Sequence, residues 1–171
     1  MKNLPFLFVL LLIPGILYAQ AVFITPEEAF RVIFPGAVMV PDKKSLSDEQ
    51  KKGLKVSKKD WDFKIAKAGG KIIGYALIDN EIGKTEPITF LTAITPQGTV
   101  KEVEILIYRE AYGGAVHAKG FLNQYQGKTV QDPLQLGKDI QNITGATLSS
   151  RAVTRGVKRA IALWELFYDK K

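Results

Sequence analysis

Four short apolar runs, separated by only a few residues each, set the tightest limit on how this chain can fold. Trp61, Phe63 and Ile65 alternate with Asp62, Lys64 and Ala66, the period-two pattern of a half-buried strand. Gly69-Gly70 supplies a turn before a second run over 72–78, so the two segments read as a hairpin. Runs over 88–94 and 100–107 flank Thr95-Pro96-Gln97-Gly98, which places Pro and Gly where a tight turn uses them. Residues 79–86 are polar, contain Gly83 and read as the loop joining the hairpins. Connections this short suit antiparallel neighbours, because a parallel crossover needs a dozen or more residues. The expectation is a four-stranded antiparallel meander.

Helix signals lie on both sides of it. Thr25-Pro26-Glu27-Glu28 combines a cap, a first-turn proline and a capping-box glutamate, predicting a helix to about Ile33 that stops before Pro35-Gly36. Ser47-Asp48-Glu49-Gln50 starts a second short helix, which Gly53 should end. The five lysines between Lys51 and Lys59 read as a solvated face. A short helix is expected over 116–125, ended by Gly127, and loop over 128–138 around Pro133 and Gly137. The strongest helix signal is the last, over 148–168, where Val153, Val157, Ile161, Trp164 and Tyr168 recur at helical spacing. Together these predict an α+β fold, an antiparallel β-meander packed against helices that include a long C-terminal one.

Residues 1–21 carry Lys2, an apolar stretch from Leu4 to Leu17 and the small-x-small site Ala19-Gln20-Ala21. That is the pattern of a secretory signal peptide, with cleavage after Ala21 or, alternatively, after Ala19. The remaining residues 22–171 form a single expected domain with a formal charge of +6, one less than the +7 of the whole chain because Lys2 is removed. A basic exported protein suits an anionic lipid or acidic partner, and export argues against nucleic acid. The chain has no cysteine and one histidine, His117. Thiolate metal sites, cysteine-ligated clusters and histidine-rich metal sites are thereby excluded, so any redox chemistry falls to an organic cofactor. His117 itself reads as solvated or capping.

One segment is left over by these readings. Residues 142–160, NITGATLSSRAVTRGVKRA, gather Thr144, Thr147, Ser149, Ser150 and Thr154 around Gly145-Ala146 at a helix start, then turn basic. A cap accounts for one hydroxyl. Small residues admit close approach to the backbone, and free amides with the helix dipole favour an anion. Arg151 and Arg155 fall on the Thr147 face of the helix. Anion binding and capping beside solvated arginines both remain open on these grounds. The spacing is neither a Walker loop nor a dinucleotide fingerprint.

Thr144-Gly145-Ala146-Thr147-Leu148-Ser149-Ser150 resembles the flavinylation signature of FMN-binding domains, found in flavin-carrying subunits of Rnf-type and sodium-pumping NADH:quinone oxidoreductase complexes and in small exported relatives. The resemblance extends to Ile82-Gly83-Lys84, Pro87-Ile88-Thr89-Phe90, Val103-Glu104-Ile105-Leu106, Tyr108-Arg109-Glu110, Gly113-Gly114 and Gln124-Tyr125-Gln126-Gly127-Lys128. It implies FMN as cofactor, joined through its phosphate to Thr147 by a flavin transferase. It also implies contacts from Thr144, Gly145, Ala146, Leu148, Ser150 and Arg151, with Glu110, Gly113 and Gly114 as a wall and Lys84 nearby. The family motif usually carries an acidic residue six positions before the modified threonine. Gln141 stands there, with Asp139 two residues earlier as the substitute.

The function so implied is an exported electron-transfer flavoprotein working with membrane-bound or periplasmic redox partners. No catalytic acid–base set or metal site is expected. A small flavin-dependent reductase and a non-redox anion-binding or scaffold module are the alternatives.

Overall fold

The two hairpins pair with one another in a computed structural model that describes residues 21–169. Strands β3 (Asp60–Ala68), β4 (Lys71–Ile82), β5 (Pro87–Ile94) and β6 (Val100–Tyr108) form the expected antiparallel meander. The sheet is wider than the alternation signals, with six strands in the order β1-β6-β5-β4-β3-β2. Strand β2 (Val38–Ser45) adds to one edge and the two-residue β1 (Ala21–Val22) to the other. Pro41 and the lysine pair Lys43-Lys44 hide β2 from a propensity reading, and both are features that natural edge strands carry. Residues 1–20, the bulk of the expected signal peptide, lie outside the described residues.

A second correction concerns residues 79–82, which continue β4 instead of starting a loop. Asp79, Asn80, Glu81 and Ile82 pair with Phe90, Thr89, Ile88 and Pro87 of β5. Their polarity is answered from across the sheet by the C-terminal helix. Arg159 Nε donates to Asp79 at 2.9 Å, Arg159 also bonds Glu81, and Arg155 reaches Glu81 at 2.7 Å. Burial opposes the charge on Arg159, but the carboxylates of Asp79 and Glu81 outweigh it and hold the guanidinium protonated even more firmly than usual.

Helices α1 (Pro26–Ile33) and α2 (Asp48–Leu54) begin with the capping boxes expected of them, Thr25 with Glu28 and Ser47 with Gln50. Gly53 does not end α2. The helix runs one residue further, and Lys55 closes it in the left-handed region at φ 55°. The predicted single helix over 116–125 is broken into a 3-10 turn at Gly114–His117, helix α3 at Lys119–Leu122 and a second 3-10 turn at Asn123–Tyr125. Val116, Phe121, Leu122 and Tyr125 are all buried. A continuous helix at about 100° per residue would turn Val116 away from the other three. The break at extended Ala118 lets all four face the core.

Helix α4 (Thr147–Tyr168) lies across one face of the sheet. Val153, Val157 and Ile161 pack with Phe90, Val103 and Ile105, while Ala160, Leu163 and Trp164 pack with Trp61, Phe63 and Leu77. The crossing is close: a Cβ on Gly156 would fall 2.0 Å from Phe90 Cζ, so only glycine fits there. The opposite face is covered by α1, whose Ala29 and Ile33, with Phe34 beyond them, sit over Ala66, Ala76, Leu91 and Ala93. No helix among the described residues is long and apolar enough to cross a membrane.

Candidate functional site

Packing of α4 fixes where its first turn lies. The last residue before it, Ala146, is buried, with an amide that donates to Ile143 O at 3.0 Å. Gly145 sits at φ +80° with open space where a Cβ would be. This tight turn, which needs a glycine in the left-handed region, delivers the chain into the helix. Among the described residues no side chain caps it: neither Thr144 nor any other hydroxyl takes a first-turn amide. Thr147 and Arg151 are exposed, and so is Leu148, at 46 %. A 22-residue helix therefore opens toward solvent with its amide donors free of side-chain acceptors and its dipole uncompensated.

Four of the five hydroxyls divide by role. Thr154 Oγ1 donates to Ser150 O at 2.7 Å and meets the buried Tyr125 hydroxyl at 2.8 Å. Burial, only partly offset by that contact, pushes the Tyr125 phenol well above its ordinary range. Ser149 Oγ meets Tyr108 Oη at 2.8 Å, and Tyr108 donates to Tyr112 O at 2.5 Å. Burial raises the Tyr108 phenol too. Ser150 Oγ is fully buried and has no hydrogen-bond partner among the described residues. Thr147 Oγ1 accepts from Asn142 Nδ2 at 2.8 Å.

Tyr108 and Ser149 bring the second half of the expected site to the helix start. They clasp the turn containing Gly113 and Gly114 against the first turn of α4. Gly113 lies at φ +88°, and a Cβ there would come within 2.7 Å of Ser149 Oγ and 2.8 Å of Tyr108 Oη. Neither Tyr108 nor Ser149 stood out as a site residue in the sequence, although both occur in its motifs; only their pairing across 41 residues gives them a role.

Glu110 lies beside this turn, and its carboxylate is engaged inward. It accepts from the amide of Lys84, from Thr85 N at 2.8 Å and from Glu86 N at 3.2 Å. Burial would raise its pKa, but the amides of Thr85, Glu86 and Lys84 outweigh that and keep the carboxyl below its ordinary value. Three successive amides converging on one carboxylate hold the 83–86 loop in place. Lys84, Arg109, Glu110 and Tyr112 thus line a cleft of about 430 Å³. Arg109 anchors its floor by donating to Pro87 O at 3.0 Å and Thr89 Oγ1 at 2.9 Å. Tyr112 is 83 % exposed at the rim.

Two arginines expected on the Thr147 face part ways. Arg155 is engaged with Glu81 and Ile82 O. That leaves Arg151, among the described residues, as the guanidinium without a partner nearest the helix start. Arg151 borders a cleft of about 330 Å³ with Leu134, Leu136 and Lys158. Asp139, the acidic residue nearest before position 141, is engaged within its own loop. It accepts from Leu134 and Gln135 amides at 3.2 and 2.9 Å and pairs with Lys128 at 3.1 Å. His117 bonds Gly114 O through Nδ1 and stacks on Phe23 at 4.3 Å.

The model of the FMN-binding domain matches residues 83–162, which run from the loop held by Glu110 to the middle of α4. Residues 83–162 belong to the FMN-binding domain family. The chain is 35 % identical over 123 residues to one component of the proton-translocating ferredoxin:NAD(+) oxidoreductase complex of Clostridium ljungdahlii, covering 68 % of this chain and 65 % of that protein. It is 31 % identical over 111 residues to the corresponding component of the Na(+)-translocating ferredoxin:NAD(+) oxidoreductase complex of Acetobacterium woodii, covering 59 % and 54 %. The chain thus spans less than two thirds of the length of these relatives. The crystal structure of Shewanella oneidensis NqrC shares the fold, with a TM-score of 0.58 over 83 % of this chain and 87 % of that one at 18 % identity.

FMN is accordingly the cofactor of the domain, and the residues present fit its phosphate. An uncapped helix start, a glycine turn that leaves space beside it and the neighbouring Arg151 all favour a phosphate at this place.

Proposed function

We propose that this chain is an exported electron-transfer flavoprotein whose FMN is attached through its phosphate to Thr147. The observation that carries the reading is the exposed Thr147 hydroxyl at the open, uncapped start of α4. A phosphodiester there would put negative charge where amides and the dipole favour it, within one helical turn of Arg151. The bond formed is Thr147 Oγ1 to phosphorus, with net loss of water relative to FMN, and a flavin transferase would catalyse it. Bound FMN supplies a ring that takes up and returns electrons. The protein's own part is to hold the phosphate at the helix start and to keep the cleft lined by Lys84, Arg109 and Tyr112 in place through Glu110.

Electron relay is favoured over turnover of a substrate because no acid–base pair stands beside the helix start among the described residues. The Clostridium and Acetobacterium relatives belong to ion-translocating oxidoreductase complexes, and membrane-bound redox partners are proposed for this chain on that basis. Export follows from the signal pattern in residues 1–21. Ala21 pairs with Tyr108 and Val22 with Ile107 in β1, so cleavage after Ala19 would keep that strand whole. Protein produced in a bacterium with a flavin transferase should be yellow and keep its fluorescence through a denaturing gel. A colourless protein, or flavin that migrates away from the band, would contradict covalent attachment.

A further inference from the structure

We propose that Asn142 is a positioning residue for modification of Thr147, an inference that rests on Thr147 being the acceptor. Residue 141 is pinned on both sides. Its amide donates to Gln124 Oε1 at 2.6 Å, and its carbonyl accepts from Gln124 Nε2 at 3.4 Å. That anchors the segment leading into the turn, and the next side chain, Asn142, spans the turn to place Nδ2 2.8 Å from Thr147 Oγ1. The turn between them is closed by Ala146 N–H to Ile143 O and by Gly145 at φ +80°.

A capping role does not explain this contact, since Asn142 meets a hydroxyl and not a first-turn amide. Nor does stability. Both side chains are exposed, where a hydrogen bond competes with water and contributes little. What the contact does is chemical. A free threonine hydroxyl rotates among staggered positions. A donor on one lone pair of Oγ1 fixes the oxygen, leaves the second lone pair available for attack and leaves the O–H proton free to depart. In the transfer, the Oγ1–P bond forms as the phosphoanhydride bond of a flavin dinucleotide breaks. The nucleotide leaves with the electron pair, and the hydroxyl proton passes to a base of the transferase. No atom changes oxidation state. An ionised carboxylate at this position could not make the same contact, because it only accepts and has no N–H to offer Oγ1.

The test is single-turnover modification of purified unmodified protein by a flavin transferase with flavin adenine dinucleotide, followed by intact mass. Asn142→Ala and the near-isosteric Asn142→Leu are compared with wild type across transferase concentrations. Positioning predicts that both variants are slowed about three- to tenfold at saturating transferase, the range one neutral hydrogen bond carries. The half-saturating transferase concentration and the melting temperature should stay unchanged. Modification of Asn142→Ala at the wild-type rate would overturn the proposal. So would slowing that appears only as a raised half-saturating concentration, because Asn142 would then be a docking contact. If wild type itself takes no adduct, Thr147 is not the acceptor and the inference falls with it.

Discussion

Replacing Arg159 by leucine tests whether this arginine serves the architecture rather than an anion. Arg159 has a side chain only 18 % exposed, over Asp79 at 6 % and Glu81 at 12 %, and its guanidinium lies 5.5 Å from the Trp61 ring. Arg159→Leu keeps apolar volume against Trp61 but strips Asp79 of its cation, leaving the Asn80 amide to donate to it at 2.8 Å. Removing one partner of a buried pair usually costs about 3–5 kcal/mol. Here Glu81 keeps Arg155, so about 2–4 kcal/mol is expected. For a domain of this size that is a fall in melting temperature of roughly 5–15 °C. Neutralising the orphan should return much of it, so Asp79→Asn/Arg159→Leu should melt above Arg159→Leu. Thermal unfolding by circular dichroism on the four proteins of the cycle measures both effects. A single variant within about 0.5 kcal/mol of wild type, the ordinary range for a surface change, would refute the buried-clamp account. So would a double variant no more stable than the single.

Two further outcomes concern the loop and the export signal. Glu110 is held below its ordinary pKa, so its contribution is present above the unfolded value near 4.5 and is lost as pH falls through the lower folded value. Amide resonances of Lys84, Thr85 and Glu86 should therefore move together in acid below that value, and Glu110→Gln should abolish the shared titration; an unchanged profile in the variant would contradict the clamp. Secreted protein should begin at Gln20, as read by N-terminal sequencing; a start at Val22 would show that β1 loses Ala21 on maturation.

Alternation made β3 legible, whereas β5, buried on both faces, shows as a continuous apolar run bounded by turns with glycine in the right places. The edge strands were not legible. β2 carries Pro41 and lysines, which suit an edge and argue against a central strand, and β1 is only two residues long. In the sequence the end of β4 looks like loop because Asp79 and Glu81 are polar, and polarity signals exposure until Arg155 and Arg159, more than 70 residues away, supply the partners. The same long-range contact commits Arg155 to Glu81, although Arg155 still borders the cleft that Arg151 lines.

At the site, the helix start was visible as a cluster of small and hydroxyl residues. Its division of labour was not. Ser149 works with Tyr108, Thr154 with Tyr125 and Thr147 with Asn142, and only the last of these pairings is local enough to be guessed from spacing. Glu110 was expected at a cofactor wall, and its carboxylate proves to hold the loop that carries Lys84. A motif shows which residues belong together; the hydrogen bonds show which way each one faces.

The central claim is that the open start of α4 carries FMN on Thr147. Intact mass of protein co-produced with a flavin transferase tests it most directly. The wild type should gain the mass of FMN less water, with tandem fragmentation placing the gain on Thr147, and Thr147→Ala should show none while folding normally. An unmodified wild type, or a Thr147→Ala protein that still carries the adduct, would contradict the account.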